Sequence, residues 1–479
     1  ILVVEAVGAT GERVTLPDPD AGQGTSTPVQ LSTQGKWQEV PLVDRTTLGI
    51  GQTVKGPAIL TEPTGTNMVE AGWEATCMAG GNLMLNRVVA IERAEAIGTS
   101  VDPVMLEVFN NLFMSIAEQM GATLANTAYS VNIKERYDFS CAIFDQNGDL
   151  VANAPHVPVH LGSMSQSVRT IMAQNKGRIR PGDVFMMNNP YNGGTHLPDV
   201  TVITPVFNAE GTSIIYIVAS RGHHADIGGK TPGSAPPDSK TIEDEGVLID
   251  NFLLVDRGEL CVAEARALLA SGKYPCRNID QNMADLAAQI AANETGATEL
   301  LKITQHFGQQ TVHAYMGHVQ DNAEESVRRV LDVLRDCKFS YPLDGGAYID
   351  VAITVDKAIR SATIDFTGTS AQSPLNYNAP LAICRAVVLY VFRTLVGSDI
   401  PMNEGCMKPL NVIVPSGTMI NPNAPAAVIS GNTEVSQAIA DTLYGALEVI
   451  AGSQGTMNNF VYGNDTHQNY ETMCGGTGA

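Results

Sequence analysis

The stretch Asn188-Asn-Pro-Tyr-Asn-Gly-Gly-Thr-His-Leu-Pro-Asp199, followed by an apolar passage and then by Arg221-Gly-His-His-Ala-Asp-Ile-Gly-Gly229, decides how this chain is read. His196 and Asp199 close its first half, and His223, His224 and Asp226 its second. Glycines flank both clusters, where backbone must turn tightly or approach something closely. Residues 200–207 and 213–220 are rich in Val, Ile and Thr, and Asn208-Ala-Glu-Gly-Thr212 between them supplies a turn, so two neighbouring strands are expected.

If those strands pair antiparallel, the start of one lies beside the end of the other, and His196 and Asp199 come close to His223, His224 and Asp226. Imidazole and carboxylate together suit Mn, Fe or Zn. Successive side chains of an extended segment point to opposite faces, so His223 and His224 do not both reach one ion. The expected site is His196, Asp199 and one histidine of the pair, with positions open to water or substrate. The competing reading is a set of polar turn residues or a buried hydrogen-bonded network.

Working outward, 479 residues exceed one ordinary domain, and 44% hydrophobic with 16% charged residues is the composition of a globular protein. A formal charge of −21 disfavours nucleic acid and anionic membrane surfaces as partners. The eight cysteines form no Cys-x-x-Cys pair, which points to reduced thiols and a cytoplasmic setting; Cys141 reads as a buried strand residue. No apolar run is long enough to span a bilayer. The chain starts at Ile1 without Met and stops at Gly-Gly-Thr-Gly-Ala479, and both ends read as cuts from a longer polypeptide.

Residues 1–97 read as a small β-rich module, with short runs at 13–16, 37–41, 56–60 and 80–85, and residues 98–479 as the large domain. Breakers at 97–103 separate the two, with Asp102 and Pro103 as N-cap and first helical residue. Apolar residues at 104, 105, 108, 109, 112, 113, 116, 120 and 124 mark an amphipathic helix to about 128. Asn132-Ile-Lys-Glu-Arg136-Tyr-Asp138 leads into a strand, an Asn147-Gly148 turn and a return strand. Prolines in Pro155-His-Val-Pro-Val-His160-Leu-Gly162 argue against helix there, leaving His156 and His160 as hydrogen-bonding or proton-carrying groups. Residues 230–240 form a Pro- and Gly-rich loop beside the candidate site, and Glu243-Asp-Glu245 reads as a solvated turn. Helical periodicity covers 280–318, 322–334, 386–396 and 433–450; strands return at 347–355 and 362–366. The whole is α+β (mixed α/β). Phosphate-binding, nucleophile-elbow and His-Glu-x-x-His motifs are missing from the chain.

Residues from about 100 to 479 resemble the hydantoinase B/oxoprolinase family. The strings that carry the resemblance include Asn132-Ile-Lys-Glu-Arg-Tyr-Asp-Phe-Ser-Cys-Ala, Asn153-Ala-Pro-His-Val-Pro-Val-His-Leu-Gly, Gly194-Thr-His-Leu-Pro-Asp and Ser220-Arg-Gly-His-His-Ala-Asp-Ile-Gly-Gly. Residues 1–97 look like the tail of a hydantoinase A half fused ahead of a B half that is truncated at its end.

The resemblance implies ATP-dependent hydrolysis of a cyclic amide such as 5-oxoproline. It also implies an A-like half that binds ATP with Mg, a B half that completes ring opening, and an oligomer. It further implies a divalent metal, Mn or Zn, held by His196, Asp199 and His223, with His224 competing for the last place. Metal would supply Lewis acidity for water attack. His160, His224 or Asp138 would take a proton, and Arg136 would hold a substrate carboxylate or pair with Asp138. The other readings are a subunit of an ATP-dependent ketone carboxylase, an N-methylhydantoinase, and a scaffold whose metal is structural.

Overall fold

Helix α1 (Pro103–Thr127) begins where its residue types dictate. The Asp102 carboxylate accepts the Val104 N–H at 2.8 Å, and Pro103 fills the first helical position, where its missing N–H has no partner to lose. The computed structural model describes residues 24–33, 36–63, 65–89, 102–154, 156–397, 400–452, 455–463 and 468–473. The chain divides into two units, Ile1–Arg93 and Ala94–Ala479. The strand expected at 13–16, most of the breaker segment at 97–103, and Cys474 lie outside the described residues.

In the first unit, alternating side chains build two small sheets. Strands β1 (Ser26–Thr33), β2 (Lys36–Asp44), β4 (Ala58–Glu62) and β5 (Gly65–Val69) form one in the order β1-β2-β4-β5. Strands β3 (Thr53–Lys55), β6 (Trp73–Cys77) and β7 (Leu83–Arg87) form the other, in the order β3-β6-β7. Their inward residues, among them Val43, Leu60, Val69 and Ala75, make one apolar cluster.

The second unit is organised by a sheet whose strands are β8 (Phe139–Asp145), β9 (Leu150–Asn153), β10 (Val184–Met187), β11 (Asp199–Phe207), β12 (Ile214–His223), β13 (Phe252–Asp256) and β14 (Glu259–Leu260). Their order is β14-β13-β10-β11-β12-β8-β9. Its central strands are buried on both faces, so they read as near-continuous apolar runs, as covered sheets do. Cys141, Ile143 and Val218 face α1 together with α6 (Ile279–Phe307) and α7 (Gln309–Val333). Ala142, Phe144, Ile217 and Ala219 face α3 (Pro158–Gln174). Between these lie three short helices, α2 (Val131–Lys134), α4 (Ile242–Glu245) and α5 (Val262–Leu269).

A four-stranded sheet follows, with order β15 (Cys337–Pro342), β16 (Tyr348–Asp356), β17 (Ser361–Asp365) and β18 (Leu410–Ile413). Helices α8 (Leu381–Thr394) and α9 (Ser436–Leu447) pack on it through Val387, Val391, Ile439 and Leu443. Helix α3 lies between the large sheet and α8, and the approach is close: a Cβ on Gly162 would sit 2.5 Å from Ala386 Cα. The architecture is mixed α/β, with the helix-and-sheet unit following the β-rich one.

Three local expectations fail for identifiable reasons. Segment 155–162 is not free of helix, because α3 starts inside it with Pro158 in the first turn, the one place where proline fits. Helices α6 and α7 break at Gly308 rather than near residue 320. Glu243-Asp-Glu245 is no solvated turn: Asp244 and Glu245 are buried, and Glu245 accepts hydrogen bonds from the Val428 and Ile429 N–H groups and from Ser239 Oγ.

Candidate metal centre

The β11–β12 hairpin turns sequence period into a two-faced device. Asp199 pairs directly with His223, Thr201 with Arg221 and Ile203 with Ala219. Cross-strand partners share a face, so these residues all look toward α3, while Val200, Ser220 and His224 look toward α6. A turn in which the Asp199 N–H donates to His196 O brings the His196 ring to the first face.

There His196 Nε2, Asp199 Oδ1 and His223 Nδ1 form a triangle with edges of 3.1, 3.1 and 3.0 Å, all three residues being buried. Hydrogen bonding alone does not satisfy it. Each ring nitrogen either donates or accepts, and two N–H groups that both point at Oδ1 would also confront each other at 3.1 Å. A shared cation would resolve the conflict. Ligands ~2.1 Å from a shared ion span such edges when their angles at the ion are about 90°, an octahedral face; tetrahedral angles would need edges of roughly 3.4 Å. The donor set therefore fits a divalent ion. His196 Nδ1, buried and without a hydrogen-bond partner among the described residues, is the nitrogen that keeps its proton when Nε2 coordinates.

The second oxygen of Asp199 is held by other groups. Thr195 Oγ1 and Asn432 Nδ2 each donate to Oδ2 at 2.8 Å, and His160 Nε2 lies 3.3 Å away. These contacts aim Oδ1 at the two rings, as outer partners of ligating carboxylates do. Burial pushes the Asp199 carboxyl up, but the His196 and His160 imidazoles outweigh it and hold it well below the usual carboxylate range. For His223, burial pulls down while Asp138 and Asp199 push up, and the carboxylates prevail.

His160, in the first turn of α3, stands between two carboxylates, with Asp138 Oδ1 4.0 Å from Nε2 and Ser140 Oγ 3.4 Å from Nδ1. Asp138 and Arg136 both lie within electrostatic reach of His223. Six of the seven expected residues, His196, Asp199, His223, His160, Asp138 and Arg136, thus form the triangle or lie near it. His224 does not join them. Its Nε2 pairs with Gln289 Oε1 and its Nδ1 with Asn282 Nδ2, each at 3.1 Å, on the α6 face. A ring with both nitrogens engaged there is placed neither to ligate nor to carry protons at the triangle, and strand alternation is the reason. His156 is likewise structural in its contacts: its Nδ1 accepts the Cys141 N–H at 3.1 Å, and burial, then His160, pushes its pKa down to about 4.

Sequence reasoning passed over four residues that build this region. Arg221 is fully buried and donates to Thr201 Oγ1 at 2.8 Å, to Ser167 Oγ at 2.8 Å and to Ser163 Oγ, so it ties α3 to the hairpin beneath Asp199. Burial pulls its pKa down to about 10 despite the nearby Asp199, which leaves it charged at neutral pH. Its place two residues before His223 was a usable signal. Thr195, adjacent to His196, offered one as well. Asn432 and Glu245 gave none, because their partners are far off in sequence.

Glu245 anchors the segment that carries Asn432, and burial pushes its pKa up from 4.5 to about 7 against its hydrogen bonds. The folded chain then binds a proton there that the unfolded chain has already lost. Stability from this group is full below about pH 4.5 and falls as pH rises through about 7. In chemical denaturation between pH 5 and 8, Glu245→Gln should remove this part of the decline; an identical pH slope in the variant would contradict the assignment.

Residues 102–479 match the family model described as hydantoinase B/oxoprolinase. The chain is 42% identical to 5-oxoprolinase 1 of Arabidopsis thaliana over 93% of its own length and 37% of that protein's. It is 41% identical to the 5-oxoprolinase of Saccharomyces cerevisiae, over 93% of this chain and 36% of that one. It therefore spans about a third of the length of these relatives. Among solved structures, the ATP-dependent caprolactamase from Pseudomonas jessenii shares the fold, with a TM-score of 0.68 at 24% identity over 78% of this chain and 66% of that one. Nucleotide-free acetone carboxylase does so with a TM-score of 0.63 at 16% identity, over 72% and 48%. With its matched strings in order and a family model covering nearly all of the second unit, the chain belongs to the hydantoinase B/oxoprolinase family.

Proposed function

We propose that this chain is the ring-opening portion of an ATP-dependent cyclic amidohydrolase whose substrate is 5-oxoproline and whose product is glutamate. The observation that carries the reading is the His196–Asp199–His223 triangle, in a chain 42% identical to a 5-oxoprolinase. Residues 1–97 are read as the end of an A-like half, and the nucleotide site as belonging to that half.

An amide resists water because its nitrogen donates into the carbonyl. Phosphoryl transfer from ATP to the carbonyl oxygen turns that oxygen into part of a phosphate leaving group and leaves a C=N⁺-like carbon open to water, which is the part assigned to the A-like half. The remaining work is to bind the activated ring, present water and manage protons. His196, Asp199 and His223 would hold a divalent ion, Mn or Zn, which when bound would supply Lewis acidity at the site. His160, poised between Asp199 and Asp138, takes the proton released by attacking water, and Asp138 stabilises the resulting imidazolium. Arg136 receives the substrate carboxylate with its planar fork. The described cysteines, all free thiols, support a reducing cytoplasmic compartment.

Full-length protein containing this chain should release ADP, phosphate and glutamate in equal amounts from 5-oxoproline. Other lactams and hydantoins in the same panel should turn over more slowly. Turnover that ignores ATP, or carboxylation of a ketone in place of lactam cleavage, would defeat the proposal.

A further inference from the structure

Asn432 sits on a π-helical turn, Gly431–Val435, that leads into α9. Turns of this kind are rare and concentrate at functional sites. This one is braced from both sides. Glu245 fixes the Val428 and Ile429 N–H groups ahead of it, a Cβ on Gly431 would come 2.5 Å from Asn378 O, and Ser436 Oγ donates back to Asn432 O at 2.6 Å.

Asn432 is 7% exposed, and the two ends of its side-chain amide have different fates. Nδ2 donates to Asp199 Oδ2 at 2.8 Å. Oδ1 is buried and has no hydrogen-bond partner among the described residues. The orientation is fixed by chemistry: rotated by half a turn, the amide would set an acceptor oxygen against an ionised carboxylate oxygen. An unfilled acceptor therefore stands beside the metal triangle, one bond away from the carbon that carries the nitrogen touching Asp199. A buried carbonyl oxygen without a donor is destabilising, and a ligand that brings a donor removes the penalty.

We infer that Asn432 Oδ1 accepts the ring N–H of the cyclic amide and makes the site select N–H-bearing rings; this rests on the cyclic-amide reading above. A 5-oxoproline molecule offers a carbonyl oxygen and a carboxylate, both acceptors, and a single donor, the ring N–H. Cationic groups suit the two acceptors, and Asn432 Oδ1 suits the donor. The braced turn keeps that oxygen in place without help from the ligand, as a specificity group requires.

The test uses metal-saturated full-length protein and three competing ligands: 5-oxoproline, its N-methyl derivative and the ring-oxygen lactone of the same size. Wild type should bind 5-oxoproline roughly tenfold to a hundredfold more tightly than the lactone, the range for leaving one buried acceptor unpaired. In Asn432→Ala the ratio should fall below about threefold with metal content retained, and Asn432→Ser, too short to reach the ring, should behave the same way. Thr195→Ala removes another donor to Asp199 Oδ2 and should leave the ratio intact.

An unchanged ratio in the Asn432 variants, with normal lactam turnover, would overturn the assignment alone. An equal collapse in Thr195→Ala would also overturn it, since the effect would then pass through Asp199. Failure of wild type to bind any lactam would bring down the cyclic-amide reading and this assignment with it.

Discussion

His196→Ala should reduce bound divalent metal from about one ion per chain to under a tenth, and ATP-coupled lactam cleavage by a factor on the order of 10³. The size follows from the chemistry. A Lewis acid supplies several kcal/mol of charge stabilisation, and every 1.36 kcal/mol is tenfold in rate, so losing roughly 4 kcal/mol gives about 10³. His196 supplies one corner of a triangle whose edges are 3.0 to 3.1 Å, so its loss leaves two of the three donors. Asp199→Asn should behave similarly while preserving side-chain volume. His224→Ala serves as the control, because its ring bonds Gln289 and Asn282 on the opposite face. It should lose stability and keep its metal. Metal analysis of the purified variants, with turnover measured in parallel, decides the matter. Normal turnover in metal-free His196→Ala would remove the ion from the mechanism and leave it a structural part.

The second large effect is expected at Arg221. Its guanidinium is wholly buried, ligated by three hydroxyls and close enough to Asp199 to feel its charge. Arg221→Met fills the volume but strands Thr201 Oγ1, Ser163 Oγ and Ser167 Oγ and removes the cation that offsets Asp199. A loss of about 3–5 kcal/mol in folding stability is expected, as for other broken buried charge networks. Arg221→Lys keeps the charge on a single ammonium that does not reproduce the planar fork, so it should fall between wild type and Met. Denaturant titration measures both. A Met variant as stable as wild type would mean that packing, not the polar network, joins α3 to the hairpin.

These two effects share one origin in the hairpin, and that hairpin was the legible part of the sequence. Val, Ile and Thr around Asn208-Ala-Glu-Gly gave two strands, and period two then allowed only one of His223 and His224 to reach the ion; the register that pairs Asp199 with His223 came from the structure. The N-cap pair Asp102 and Pro103 was equally readable, because capping is local. What escaped notice depended on distant partners. Glu245 looks solvated beside Glu243 and Asp244 until Val428 and Ile429 arrive with their N–H groups. Asn432 reaches Asp199 across 233 positions from an irregular turn with no pattern to announce it. Pro158 misled for another reason: proline breaks a helix interior and opens a helix start, and residue type alone does not say which applies.

Anomalous diffraction from crystals of the purified protein grown with Mn is the most direct test of the central claim. The account predicts one strong peak about 2.1 Å from each of His196 Nε2, Asp199 Oδ1 and His223 Nδ1. A peak elsewhere, or none there while the three side chains keep their mutual contacts, would contradict it.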